Sequence, residues 1–279
     1  MLIDTHAHLD FPEFCQDIDT VVERAVEAGV TRIITIGTSL ESCASSIALA
    51  DRYEQIYAVV GIHPTAPPEK CPNVIRELRT LAAHPKVVAI GETGLDYHRL
   101  PSSTSQKRVA NESDDVPKAS FEDASYKNAQ QLLFREQLDL AAELHLNVVI
   151  HQRDAWQDTL NILQMYAGRF RSVFHCFSGT PQQAAAVYEL RHLISFTGIV
   201  TFKNAGIVRE TALAAPDDGF MLETDCPYLA PVPYRGKRCE PAFTTETAKF
   251  IADLRSVSIA TIAEQTTQTA EQFFHFSPE

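Results

Sequence analysis

The opening decapeptide MLIDTHAHLD sets His6 and His8 one residue apart behind a short apolar run. On an extended strand, residues i and i+2 point to the same side, so this pair can face one ion as a two-pronged clamp. Ten histidines in 279 residues produce some close pairs by chance, so the pair gains weight only from company. His63, Glu92, His151, His175 and Asp225 supply it, each ending or following a short run rich in apolar residues. Mixed imidazole and carboxylate donors suit Zn²⁺, Mn²⁺ or Mg²⁺, and donor type alone does not choose among them.

These side chains converge only if the backbone gathers the ends of those runs. Eight runs recur along the chain: LIDTHAHL, RIITIGT, IYAVVGIH, KVVAIGETGLDY, NVVIHQR, SVFHCFSG, LISFTGIV and GFMLETDCP. Between them, segments such as DIDTVVERAVEAG, CPNVIRELRTLAAH, NAQQLLFREQLDLAAELH and TPQQAAAVYELRH return apolar residues every three or four positions, the period of an amphipathic helix. Continuous apolar strands alternating with helices belong to a parallel sheet covered by those helices. Eight such units predict an α/β protein of one domain, a TIM-like (β/α)8 barrel, ahead of an open doubly wound sheet. Barrel enzymes place their chemistry at the C-terminal strand ends, where these His, Glu and Asp residues fall. The other reading of each is a hydrogen-bonded rim residue.

Residues 99–127, RLPSSTSQKRVANESDDVPKASFEDASYK, break the rhythm and read as an inserted loop after the fourth strand, either a lid or a solvated surface insertion. The stretch TTETAKFIADLRSVSIATIAEQTTQTAEQFFHF reads as terminal helices packed on the barrel. A formal charge of −12 argues against a broad electrostatic hold on nucleic acid, leaving room for a local basic patch. Arg235, Lys237 and Arg238, after the eighth strand, supply one. The six cysteines are scattered without a CxxC pair and read as reduced thiols. Cys176 and Cys226 adjoin candidate ligands on strands and are expected on the opposite face, under the helices. No apolar run approaches the roughly 20 residues of a membrane span, and no basic leader precedes an apolar segment, so the expected location is cytoplasmic.

In chain order DTHAHLD, GIHP, IGETGLDYH, IHQRDA, FHCFSG, ETDCPYLAP and PYRGKRCEP resemble the TatD-family metal-dependent deoxyribonucleases, within the amidohydrolase-like metal-dependent hydrolases. The resemblance runs from residue 2 to about residue 275, interrupted by the 99–127 insertion. It implies two divalent ions per chain, Mg²⁺ foremost with Mn²⁺ or Zn²⁺ as alternatives. His6, His8 and Asp225 would hold one, His151 and His175 the other, and Glu92 would bridge them. Many amidohydrolase relatives bridge with a carboxylated lysine at this strand, whereas IGETGLDY offers Glu92 and no lysine. Such a bridge sets two ions at roughly 3.5–4 Å, able to clamp the attacking and leaving oxygens of a phosphoryl displacement.

The implied activity is hydrolysis of phosphodiester bonds in single-stranded DNA, or RNA, with nucleic acid as substrate and 3′–5′ exonuclease polarity resting on the resemblance alone. Asp225 is the expected general base and Glu92 its catalytic partner, acting on a water activated by the metals. His63 and Arg153 are candidate phosphate contacts, the alternatives being a rim histidine held by the Pro64 turn and a surface ion pair. Arg235 and Lys237 would add positive charge, and Tyr97, Tyr228 and Tyr234 are candidates to stack on bases or to pack on adjacent loops. Glu223, two residues before Asp225, reads as a carboxylate orienting a ligating histidine. Cys239 stands where the family usually has Asn, which puts in doubt any contact the Asn makes. Amide, ester or lactone hydrolysis by the same site is the runner-up, because fold and ligands do not fix the substrate. A non-catalytic binding protein is the third reading, and the complete donor set counts against it.

Overall fold

Eight strands pair in chain order, every neighbouring pair parallel: β1 (Leu2–Ala7), β2 (Val30–Ile36), β3 (Ile56–Val60), β4 (Val87–Asp96), β5 (Asn147–Arg153), β6 (Ser172–Phe174), β7 (Leu193–Phe196) and β8 (Phe220–Leu222). A parallel bridge between Ala7 and Cys226 closes the ring, supported by His8 N–H donating to Cys226 O at 2.9 Å and Asp225 N–H to His6 O at 2.9 Å. This computed structural model describes residues 1–66, 73–102 and 116–276, with 116–120 described by backbone alone. The helices are α1 (Ile18–Glu27), α2 (Leu40–Arg52), α3 (Val74–Ala82), α4 (Val116–Leu144), α5 (Trp156–Gln164), α6 (Pro181–Glu189), α7 (Gly206–Ala214), α8 (Thr244–Arg255) and α9 (Ile259–Phe274). The chain is therefore a TIM-like (β/α)8 barrel, as the repeated pattern predicts. Among the described residues no helix is long and apolar enough to cross a membrane.

Alternation along the strands divides the core in two. Ile34 and Ile36 of β2 and Tyr57 and Val59 of β3 join Val149, Val173, Leu193 and Met221 in the lumen, while Ile33, Ala58 and Val60 pack outward under the helices. Phe273 and Phe274, at the end of α9, belong to the lumen cluster. Asn147, the first residue of β5, donates to Phe273 O at 2.6 Å, so α9 plugs the N-terminal mouth and leaves the C-terminal one for chemistry.

Two irregularities aim the site. The β1–β2 register slips between Asp4 and Ala7, and the β4–β5 register slips between Ile90 and Thr93. His6 and Glu92 lie inside those slips, where a locally disrupted ladder re-aims side chains. Gly91 and Gly94 make the second possible: both have φ near +145°, at +144° and +145°. A Cβ on Gly94 would stand 2.0 Å from His151 O, and one on Gly91 would stand 2.6 Å from Val149 O. β4 thus lies tight against β5 with Glu92 between its glycines.

Of the insertion expected at 99–127, residues 103–115 lie outside the described residues. Its C-terminal part differs from the expectation, since α4 already starts at Val116 rather than after Lys127. The described residues 121–129 on α4 are exposed or half-exposed, so no core contact demands an apolar stripe there. Ser102 donates its N–H and Oγ–H to Asp123 of α4, at 3.0 and 2.6 Å.

Candidate metal centre at the barrel rim

His6 Nε2 and His8 Nε2 meet at 3.3 Å, fulfilling the geometry of a two-pronged clamp. Asp225 Oδ1 lies 3.7 Å from the first and 3.4 Å from the second, and Glu92 Oε2 lies 3.6 and 3.9 Å from them. Donors about 2.1 Å from a tetrahedral ion stand about 3.4 Å apart, so the set has the spacing of a coordination shell. His8 Nδ1 is 3.2 Å from Ile36 O, which can only accept, so in the neutral ring the proton sits on Nδ1 and Nε2 keeps the lone pair for an ion. Asp225 follows β8 by three residues in a left-handed conformation, φ +57°, which turns its carboxylate back over the rim.

The other oxygen of Glu92 faces a second set. Oε1 is 2.7 Å from His151 Nδ1 and 2.8 Å from His175 Nε2, and those two nitrogens are 3.2 Å apart. His63 Nε2 lies 3.3 Å from His151 Nδ1 and 3.7 Å from Glu92 Oε1. One buried carboxylate thus divides its two oxygens between two groups of histidines. Groups able to hold a metal ion by donor spacing include His6, His8 and Asp225 in one place and His63, Glu92 and His151 in another.

Outer carboxylates hold the rings. Glu223 accepts from Cys176 N–H at 2.6 Å and Ser195 Oγ–H at 2.6 Å and lies 3.7 Å from His175 Nδ1. Asp96, absent from the donors expected from sequence, stands 3.3 Å from His151 Nε2 and accepts from the backbone of His98 and Arg99. It lies four residues after Glu92 on one strand, a same-side spacing that could have revealed it. Two buried glutamines of α4, seven residues apart, brace this wall: Gln130 bonds both N–H and O of Asp96, and Gln137 bonds both N–H and O of Ile62 plus Thr93 Oγ1.

The charges are mutually supporting. Burial favours neutral Glu92, but the His175 charge and the hydrogen bonds from His151 and His175 outweigh it and hold the carboxyl well below its ordinary range. Burial likewise works against the His175 cation and is outweighed by Glu92 and Glu223, which raise its pKa well above the usual value. His8 and His151 are raised too, against burial, by Asp225 and by Asp96 with Glu92 respectively. At His63 burial, aided by the His151 and His175 charges, wins and pushes the pKa down to about 4, and at His6 burial and the His175 charge lower it. The carboxylates thus favour protons on His8, His151 and His175 in place of a cation, and metal binding would compete with those protons.

Other expected site residues are more dispersed. Arg153 is exposed at the rim end of β5, two residues beyond His151 on the same side. Arg235 lies 3.6 Å over the Phe202 ring and Lys237 lies 5.6 Å from the Tyr234 ring, both exposed, while Arg238 is drawn away into an ion pair with Asp17. Tyr234 stacks on Phe243 at 4.0 Å, and Tyr97 donates to Asp158 at 2.8 Å beneath Lys127, so packing accounts for both. Tyr228 stays 53% exposed. Cys226 is buried as expected, but Cys176 is not under the helices. β6 ends at Phe174 and Cys176 has φ +48°, so strand alternation no longer applies, and its Sγ reaches Thr197 Oγ1 at 3.7 Å. Cys239 is buried, its N–H donating to Pro227 O at 2.9 Å.

Comparison with known proteins agrees with this architecture. The family model described as TatD related DNase matches residues 3–275. An uncharacterized metal-dependent hydrolase of Bacillus subtilis, YabD, is 36% identical over 278 residues, covering 99% of this chain and 100% of that protein. A Pantoea ananatis protein named 3′-5′ ssDNA/RNA exonuclease TatD is 30% identical over 280 residues, covering 98% and 99%. The crystal structure of the TatD homologue YjjV from Escherichia coli superposes with a TM-score of 0.84 at 29% identity, covering 99% of this chain and 98% of that one. With donor sets gathered at the C-terminal mouth of the barrel, this chain belongs to the TatD family of metal-dependent hydrolases.

Proposed function

We propose that the protein hydrolyses phosphodiester bonds of single-stranded DNA, or RNA, from the 3′ end, using two divalent ions with Mg²⁺ as the expected metal. The observation that carries this reading is Glu92, whose Oε2 faces His6 and His8 and whose Oε1 faces His151 and His175. The name of the Pantoea ananatis relative supports the substrate and the polarity. His6, His8 and Asp225 would hold one ion, His151 and His175 the other, and Glu92 would contact both. Divalent ions so held would acidify a water and draw charge from the phosphoryl oxygens.

The chain's own groups handle protons and orientation. Asp225 is the proton acceptor: burial opposes its charge, but the His8 hydrogen bond and the His175 charge hold its carboxyl below the usual carboxylate value. Its side chain is 16% exposed, against 3% for Glu92, so it meets the open side of the cluster where an attacking water arrives. His63 Nδ1 accepts from Thr65 N–H at 3.1 Å, which assigns the ring proton to Nε2, the nitrogen turned toward the cluster. A neutral His63 thus offers a fixed N–H to a phosphoryl oxygen. Arg153, Arg235 and Lys237 would meet the polyanion further out along the rim.

The test is hydrolysis of end-labelled single-stranded DNA by metal-stripped protein after return of Mg²⁺, Mn²⁺ or Zn²⁺, with Glu92→Ala and Asp225→Ala alongside. Stepwise shortening from the 3′ end that requires metal and vanishes in both variants is expected. Cleavage of amide, ester or lactone substrates without DNA turnover would overturn the reading in favour of another hydrolase of the same fold.

A further inference from the structure

An aromatic path leads outward from the first donor set. The His8 ring stacks on Phe11 with centroids 4.7 Å apart and planes at 18°. Phe11 in turn meets Tyr228 edge to face, at 6.2 Å and 77°. Phe11 enters from the loop after β1 and Tyr228 from the loop after β8, so the two segments that carry His8 and Asp225 also carry this pair. The Tyr228 backbone N–H donates to the Asp225 backbone O at 3.0 Å, closing a turn that carries both side chains.

Tyr228 differs from the other rim tyrosines. Tyr97 spends its hydroxyl on Asp158 and Tyr234 its face on Phe243. Tyr228 is 53% exposed, and among the described residues its hydroxyl has no hydrogen-bond partner. Two perpendicular rings, one half-buried and one open, form a corner that accepts a flat apolar group against one face and one edge. Unpaired nucleobases present such a face, and stacking on aromatic side chains is how proteins hold single strands without reading sequence.

We propose that Phe11 and Tyr228 form a stacking corner for the nucleobase next to the scissile phosphodiester. This rests on the nuclease reading and adds to it the part of the substrate that the donor cluster cannot recognise. The corner selects unpaired strands, because a base held in a duplex has its faces covered by its neighbours.

The experiment compares two end-labelled oligonucleotides, one with all bases and one abasic at the terminal or penultimate 3′ nucleotide, on wild type, Tyr228→Ala and Tyr228→Phe. Metal content is measured for each protein. Wild type is expected to favour the intact strand by about 5- to 150-fold in kcat/KM, the range for one stacked base. Tyr228→Ala should lose that preference at wild-type metal content, and Tyr228→Phe should keep it, because the ring face and not the hydroxyl makes the contact. Equal wild-type turnover of both strands, or a preference retained by Tyr228→Ala, overturns the corner while leaving the nuclease reading intact. No cleavage of either strand by metal-loaded wild type overturns both.

Discussion

Asp96 Oδ2 stands 3.3 Å from His151 Nε2, on the side of the imidazole opposite the Nδ1 that faces Glu92. The carboxylate selects the tautomer and rotation of the ring, so that Nδ1 is presented to the centre. Outer carboxylates of this kind change metal affinity about 10–100-fold when removed. Asp96→Asn keeps an acceptor for the His98 and Arg99 backbone but turns a donor or a neutral oxygen toward His151. Metal titration should show one ion weakened by that factor and the ion at His6 and His8 little changed. Equal weakening of both ions would argue against a local effect.

Glu92→Gln tests whether one side chain serves two donor sets. The amide has one oxygen and one nitrogen, so one set must lose its carboxylate donor whichever way the group turns. Bound metal should fall, and kcat on single-stranded DNA should drop by about 10²–10³-fold or more. A variant retaining full metal content and activity would remove the bridging role.

Gln137 is expected to be a stability residue with a functional echo. It is fully buried and answers both backbone polar groups of Ile62 and the hydroxyl of Thr93. Gln137→Ala strands those groups without water and should cost about 2–3 kcal/mol in urea unfolding. Ile62 precedes His63 and Thr93 follows Glu92, so metal affinity should fall as well. A midpoint shift equivalent to less than about 0.5 kcal/mol would mean that water or neighbours replace the amide.

Much of this arrangement is legible in the chain. Apolar runs and helical periods announce eight strand–helix units, and His6, His8, Glu92, His151, His175 and Asp225 stand out because polar residues interrupt those runs at their ends. What escaped depends on tertiary neighbours. Gln130 and Gln137 look like solvent-facing positions of an amphipathic helix until β3 and β4 supply the backbone groups they satisfy. Cys176 defeats strand alternation because β6 stops two residues earlier, and a backbone turn cannot be read from a local hydrophobic pattern. The early turns of α4 escaped because the described residues 121–129 are exposed or half-exposed and need no apolar stripe. Arg238 reads as charge open to substrate in the chain, but the fold sets Asp17, just before α1, beside it.

His192 gives a pH dependence that is separate from the metal centre. It is 4% exposed, and Nδ1 accepts from Ser172 N–H at 3.1 Å, a bond that needs the deprotonated nitrogen. Burial, aided by the Arg171 charge, pushes its pKa down to about 4 from 6.5. Between those two values the unfolded chain takes up a proton that the folded chain refuses. Stability from this group is therefore complete above pH 6.5 and declines as pH falls toward 4, by of order 3 kcal/mol over the full window. Gln at this position offers an amide oxygen to Ser172 N–H and does not titrate. Urea midpoints of wild type and His192→Gln, measured in chelator so that metal linkage drops out, should converge or cross as pH is lowered from 7.5 to 5. The relative shift should be about 2 kcal/mol in favour of the variant. Parallel curves would mean that His192 takes up its proton in the folded chain as easily as in the unfolded one, and that acid sensitivity of the barrel originates elsewhere.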